Sequence, residues 1–171
     1  MRKRGPSFGE RVVLLGLAVQ IAITAGMIID RLPPLALVNE SPSLPRGLYL
    51  RDREGRPERG AVVAFAQPEE ARSYLALWGM PADVMLIKRV AAIGGDDVCQ
   101  ADGFLRTPER LVPVRSRDRA GLPLPSWSGC RRLHPGELFV LGDTETSFDS
   151  RYFGPVRVEG LEGVYKEGVR W

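Results

Sequence analysis

Two serines one residue apart, Ser41 and Ser43, sit in the stretch Asn39-Glu40-Ser41-Pro42-Ser43-Leu44-Pro45-Arg46-Gly47. A proline fixes its own φ near about −65° and restricts the residue before it, so Ser41 and Leu44 are held extended and Ser43 has few conformations to lose. A hydroxyl fixed in this way needs only a base to become a nucleophile. On its own, the stretch also reads as a plain Ser/Pro turn.

The base is the discriminating question. One histidine, His134, directly precedes Pro135-Gly136 and reads as a turn residue, which leaves a Ser-His-Asp triad without its middle member. One His with two Cys does not make a set of zinc ligands, so neither metal nor other cofactor is called for. Lysine can serve if its pKa falls from about 10.4 toward 7 or 8, and burial is the usual cause of such a fall. In Met85-Leu86-Ile87-Lys88-Arg89-Val90, strand alternation puts Lys88 on one face with Leu86 and Val90, and Arg89 on the other with Ile87. Lys88 then points into an apolar interior; the alternative is an edge lysine that snorkels to water. A third stretch, Gly142 to Gly154, is polar. In it Asp149 and Arg151 can form a charge-assisted pair, and Ser147 and Ser150 offer hydroxyls to orient a neighbouring amine.

These residues need a scaffold. A chain of 171 residues with 44% hydrophobic and 26% charged residues suits one domain plus an appendage. The net charge of +3 is mild, and its arginines are scattered and offset by acids, which gives no footprint for nucleic acid. With 19 Gly and 14 Pro, turns are frequent and long helices few, which favours a β-rich domain. Strands are expected at 47–51, 61–65, 85–93 and 137–141, with Val98-Cys99 resuming after a turn at 94–97, a hairpin tip at 101–103, and short strands at 156–158 and 163–165. Pro68 to Trp78 reads as one short helix, stopped by Gly79 and Pro81. Residues 106–129, rich in Arg, Pro and Ser, read as a long surface excursion, and 142–154 as a polar loop.

The N-terminus adds a location. Residues 1–11 carry Arg2, Lys3, Arg4 and Arg11 against Glu10, and 12–29 contain no charge. About 18 helical residues reach roughly 27 Å, close to a bilayer's hydrocarbon thickness. The basic excess on the N-terminal side places 1–11 in the cytoplasm, 12–29 across the membrane as a single-pass anchor, and 30–171 in the periplasm or otherwise outside the cytoplasm. A cleaved signal peptide is the alternative, but no clear A-x-A site follows before Pro33-Pro34. Cys99 and Cys130, an even pair in an exported body, read as a disulfide worth roughly 3.5 kcal/mol on the chain-entropy model, with two buried free thiols as the alternative.

Taken in order, the three polar stretches resemble the type I signal peptidase family of Ser-Lys proteases. Ser41-Pro42-Ser43-Leu44-Pro45 is similar to its S-x-S-M-x-P box, Leu86-Ile87-Lys88-Arg89-Val90 with Gly95-Asp96 to its Y-I-K-R…G-D box, and Gly142-Asp143 with Ser147-Phe148-Asp149-Ser150-Arg151 to its G-D-N…N-S-x-D-S-R box. The resemblance implies a mainly β, signal-peptidase-like coiled sheet with one or two short helices, in addition to the N-terminal transmembrane helix. It implies Ser43 as nucleophile, Lys88 as general base, and Ser41 with the Ser43 N–H as oxyanion hole. Ser147 would stand beside the lysine, with Asp149 and Arg151 in support. Leu44 departs from the usual Met, and Thr144-Glu145-Thr146 from an Asn-rich start. The pattern S-x-S-x-P-x-G before Leu48-Tyr49, a helical insert before the lysine strand and the two cysteines resemble the conjugative-transfer, TraF-type branch. That branch implies an exported precursor as partner, a pilin subunit, which some members cyclise. A general signal peptidase and an inactive scaffold of a transfer complex are the alternatives.

Overall fold

The computed structural model describes residues 8–29 and 33–171. The chain divides into two units, 1–33 and 34–171. In the first, helix α1 runs Phe8–Ile29. The side chains of 10–12, 22 and 25–29 lie outside the described set. Among the described residues no helix is long and apolar enough to cross a membrane, so the anchor expected over 12–29 is not shown. The basic segment expected at 1–11 lies largely outside the described residues as well.

The second unit is mainly β. A seven-stranded sheet has the order β1-β2-β11-β3-β4-β9-β10 and a four-stranded sheet the order β7-β6-β5-β8. Its strands are β1 (Ala36–Asn39), β2 (Gly47–Asp52), β3 (Val62–Phe65), β4 (Leu86–Ile93), β9 (Glu137–Leu141), β10 (Val156–Arg157) and β11 (Leu161–Arg170). The smaller sheet holds β5 (Asp97–Ala101), β6 (Phe104–Arg106), β7 (Leu111–Pro113) and β8 (Gly129–Arg132). Helix α2 spans Glu69–Leu77 between β3 and β4, and α3 spans Ser150–Phe153.

Val63, Phe65, Leu86, Val90, Leu138 and Val140 share one sheet face, which Ala71 and Leu75 of α2 and Phe153 of α3 cover. Helix α2 forms where expected: two acids sit at its positive end, and Gly79, with φ +70°, follows its close. On the opposite face of β3, Val62 and Ala64 cluster with Leu44, Tyr49 and Tyr165. Leu44 thus roots the serine stretch in the core.

Three expectations need correction. Residues 106–129 are not only an excursion: Leu111–Pro113 pair with β6, and Leu105, fully buried, packs beside Val112. The loop after β9 contains α3, whose four residues are all buried and whose first turn forms where Asp149 caps it by accepting from the Arg151 N–H. The closing strand is not short: β11 has ten residues and lies between β2 and β3. Glycines hid it. A side chain at Gly168 would come within 3.0 Å of the Leu48 carbonyl, so the glycine there reflects close backbone approach.

Cys99 and Cys130 are bonded to each other, as expected, and face one another in the β5/β8 register. The bond closes the segment that carries β6, β7 and the 114–128 crossing. Replacing both cysteines by serine should lower the unfolding free energy by about 2–4 kcal/mol, seen as a lower urea midpoint with m little changed. An unchanged midpoint would mean that the bond adds nothing to the hold of the small sheet.

Candidate active site

Lys88 lies on β4 between Leu86 and Val90, and the alternation buries all three on the face covered by α2. Its cross-strand neighbour is Val63. Ser43 is also buried, and its hydroxyl accepts from the Lys88 Nζ at 3.0 Å across 45 residues of sequence. The amine has a second acceptor, the Ile87 carbonyl, at 3.1 Å. Burial pulls the Lys88 pKa down from 10.5 to about 8; Asp149 opposes the fall and Arg151 assists it. At pH 7 roughly a tenth of the amine is therefore uncharged, far more than for an ordinary lysine, and the uncharged form is what a proton acceptor requires.

The serine stretch is held by a residue that sequence inspection passed over. Asn39, buried at the end of β1, donates through Nδ2 to the carbonyls of Ser41, Leu44 and Pro45, each at 3.1 Å, with one of its two N–H groups shared between two of them. Its Oδ1 accepts from the Ser41 N–H at 3.2 Å and the Ser41 hydroxyl at 2.8 Å. An Asn two residues before a Ser is an Asx-turn signal, and Asn39-Glu40-Ser41 carries it. Ser41 Oγ lies 2.7 Å from Ser43 Oγ. Tyr49 adds a bond from its hydroxyl to the Pro45 carbonyl at 2.8 Å.

The third stretch surrounds the amine from the other side. Asp149 and Arg151 form a two-point ion pair, with Nε to Oδ1 and Nη2 to Oδ2 both at 2.8 Å, and both side chains are buried. Arg151 also donates to the carbonyls of Pro113, Glu145 and Ser147 at 2.9, 3.0 and 3.0 Å. Asp149 Oδ2 accepts the Gly142 N–H at 3.0 Å. Ser147 is buried and lines the same cleft as Ser43 and Lys88, but its hydroxyl has no hydrogen-bond partner among the described residues. Contrary to expectation it does not bond the amine. Ser150 does not either: its hydroxyl accepts the Val140 N–H at 3.0 Å, a structural bond inside the core. His134 is exposed at the turn before β9.

A cleft of about 350 Å³ opens over these groups, lined by Ser41, Ser43, Lys88, Ser147, Met80 and Ile87. The arrangement joins the Ser41 hydroxyl, the Ser43 hydroxyl and the buried Lys88 amine in one chain of contacts along the cleft wall. Such a chain can activate a nucleophile and meet the charge that builds on an attacked carbonyl.

The buried amine also makes a stability prediction. Between pH 8 and 10.5 the unfolded chain holds a proton on Lys88 that the folded chain lacks, so stability rises with pH across that window. Below pH 8 both states are protonated and the native state carries the full penalty, about 3 kcal/mol. Urea unfolding of the native chain should therefore gain about that much relative to Lys88→Met between pH 7.5 and 10.5. Parallel curves for the two proteins would show that Lys88 titrates at its ordinary value.

Comparison with known proteins agrees with this geometry. Residues 9–169 match the family model described as signal peptidase, peptidase S26. One plasmid transfer protein TraF of Escherichia coli is 34% identical over 149 residues, covering 80% of this chain and 84% of that protein. A second TraF from Escherichia coli is 31% identical over 173 residues, with 94% of each chain covered. Signal peptidase I V of Bacillus subtilis (strain 168) is 29% identical over 105 residues, 54% of this chain and 62% of that one. The chain belongs to the type I signal peptidase family, peptidase S26, and within it stands close to the TraF proteins of conjugal transfer.

Proposed function

We propose that this chain is a membrane-anchored serine endopeptidase that works through a Ser43–Lys88 dyad. Its substrate would be an exported precursor at the periplasmic face of the inner membrane, a conjugative pilin subunit. The observation that carries the reading is the 3.0 Å contact between a buried hydroxyl and a buried amine with a lowered pKa. The anchor rests on the uncharged run 12–29 behind a basic N-terminus. Conjugation rests on the TraF relatives.

Ser43 Oγ attacks the scissile carbonyl while neutral Lys88 takes its proton. Charge building on the carbonyl oxygen is met by the Ser43 N–H, to which no acceptor is bonded among the described residues, and by the Ser41 hydroxyl. Pro42 has no N–H to give, so the Ser41 side chain is the second donor. Lysine then returns the proton to the leaving amine. The acyl-enzyme is resolved by water, giving hydrolysis, or by the substrate's own amine, giving a ring lighter by one water.

Similarity to Signal peptidase I V supports a second reading, a general signal peptidase with broad substrates. Complementation of cells depleted of their own signal peptidase separates the two, since a dedicated pilin processor does not restore growth. A scaffold that lacks catalysis is distinguished by Ser43 failing to react with a penem-type acylating inhibitor.

Ser43→Ala and Lys88→Ala should each leave the precursor uncleaved while the protein still melts cooperatively. In the native chain kcat/KM should fall as pH drops through about 8, because the ammonium cannot accept the proton. Normal processing by either variant, or a flat profile from pH 6 to 9, would rule out the dyad.

A further inference from the structure

Hydrogens around the two serines do not suffice for every contact at once. Ser41 and Ser43 each carry one hydroxyl proton. When Lys88 is an ammonium it donates to Ser43 Oγ, Ser43 donates to Ser41 Oγ, and Ser41 donates to Asn39 Oδ1, which uses each proton once. When Lys88 is neutral and acts as base, the Ser43 proton must point at Nζ. The 2.7 Å contact between the serines then has to be filled from Ser41, whose proton leaves Asn39. Asn39 Oδ1 is not orphaned by this, because it keeps the Ser41 N–H at 3.2 Å.

We propose that Asn39 is a positioning residue that holds the Ser41 hydroxyl proton while Lys88 is charged and releases it once Lys88 becomes the base, so that Ser41 can donate first to Ser43 Oγ and then to the oxyanion. The proposal rests on the dyad reading above. The balance closes without an external group: one proton passes from Ser43 Oγ to Lys88 Nζ, and the Ser41 proton, which left Asn39 Oδ1 for Ser43 Oγ when Lys88 lost its charge, turns to the new oxyanion without leaving Ser41. Rotation about one C–O bond is all the motion required. The amide is suited to this because it is a neutral acceptor; its Nδ2 meanwhile ties three carbonyls of the serine stretch and keeps Ser41 from drifting. A carboxylate in its place would hold the hydroxyl proton more tightly and face those carbonyls with like charge.

The test needs no knowledge of the natural substrate. The full chain is acylated with a penem ester, and Ser43 labelling is followed by intact mass spectrometry to give a maximal rate and a half-saturation concentration. Asn39→Ala should slow the maximal rate by about tenfold to a hundredfold, within the range for loss of one oxyanion donor, and leave the half-saturation concentration within about threefold. Ser41→Ala should slow it similarly. Adding Asn39→Ala to Ser41→Ala should cost less than about threefold more, since Asn39 acts through a hydroxyl already removed.

Equal losses in both backgrounds would overturn the proposal, as would a loss confined to half-saturation or no loss at all. Should Asn39→Ala fail to melt cooperatively, Asn39→Gln decides: it keeps an amide for the loop carbonyls but displaces the acceptor, and must show the same coupling to Ser41. Ser43→Ala serves as the separate control. If it is labelled as fast as the native chain, the dyad reading fails; if it is inert while Asn39→Ala reacts normally, only the role of Asn39 fails.

Discussion

An amine removed from water without a carboxylate bonded to it is an unfavourable object, and the site depends on keeping it so. Lys88 is enclosed by α2 on one side and the serine stretch on another, and its bonded partners are a hydroxyl and a carbonyl, both neutral. Neither repays the loss of hydration of an ammonium, so the charged form is disfavoured and the pKa falls. The strand supplies the burial. Because side chains alternate, the run that places Leu86 and Val90 in the core must also place Lys88 there. A one-residue slip in register would send Lys88 to the other face and bring Arg89 inward, so pairing of β4 with β3 and β9 decides which side chain meets Ser43.

Asp149 is the group that could undo this, since a carboxylate near Lys88 favours the ammonium. Arg151 limits this. By bonding both carboxylate oxygens it offsets part of the effect of Asp149 on Lys88, and burial, the largest cause, decides the net fall. The pair is fully desolvated, so it is a weak source of stability by itself, and losing one partner would cost far more than the pair contributes. Its gain is geometric: Arg151 reaches the carbonyls of Pro113, Glu145 and Ser147 and so fixes the loop whose Ser147 and Phe148 wall the cleft.

Much of this was legible in the sequence because period-two patterning speaks plainly in a buried strand. Leu86 to Ile93 and Glu137 to Leu141 declare themselves, and the face of Lys88 follows from its neighbours. The Asp149–Arg151 pair was legible from spacing. What stayed hidden has physical reasons. Strand β11 is built around Gly163 and Gly168, which leave out the side chains that carry a pattern, and it forms because β2 and β3 flank it. Helix α3 has only four residues, fewer than periodicity can resolve, and is made by its cap. The Ser147 hydroxyl sits in the right wall without reaching the amine, and no spacing rule distinguishes proximity from a bond. Asn39 was hidden because its five contacts reach both sides of a turn that only the folded loop creates.

The serine and the lysine come from stretches that do not pair directly, and the end of β9 joins them. Asp143 donates its N–H to the Ser43 carbonyl at 2.6 Å, while its carboxylate takes two bonds from Arg89, the residue beside Lys88. Gly142 offers its N–H to Asp149. A side chain at Gly142 would meet Ser147 Oγ at 2.1 Å and the Ser43 carbonyl at 2.8 Å, so only glycine lets the 142–154 loop close on the serine stretch. The half-exposed Arg89–Asp143 pair adds little stability on its own. Its value lies in register, since it ties the loop that touches Ser43 to the strand that carries Lys88. A 3.0 Å contact spanning 45 residues needs such a brace, because an error of one ångström in either partner would break it.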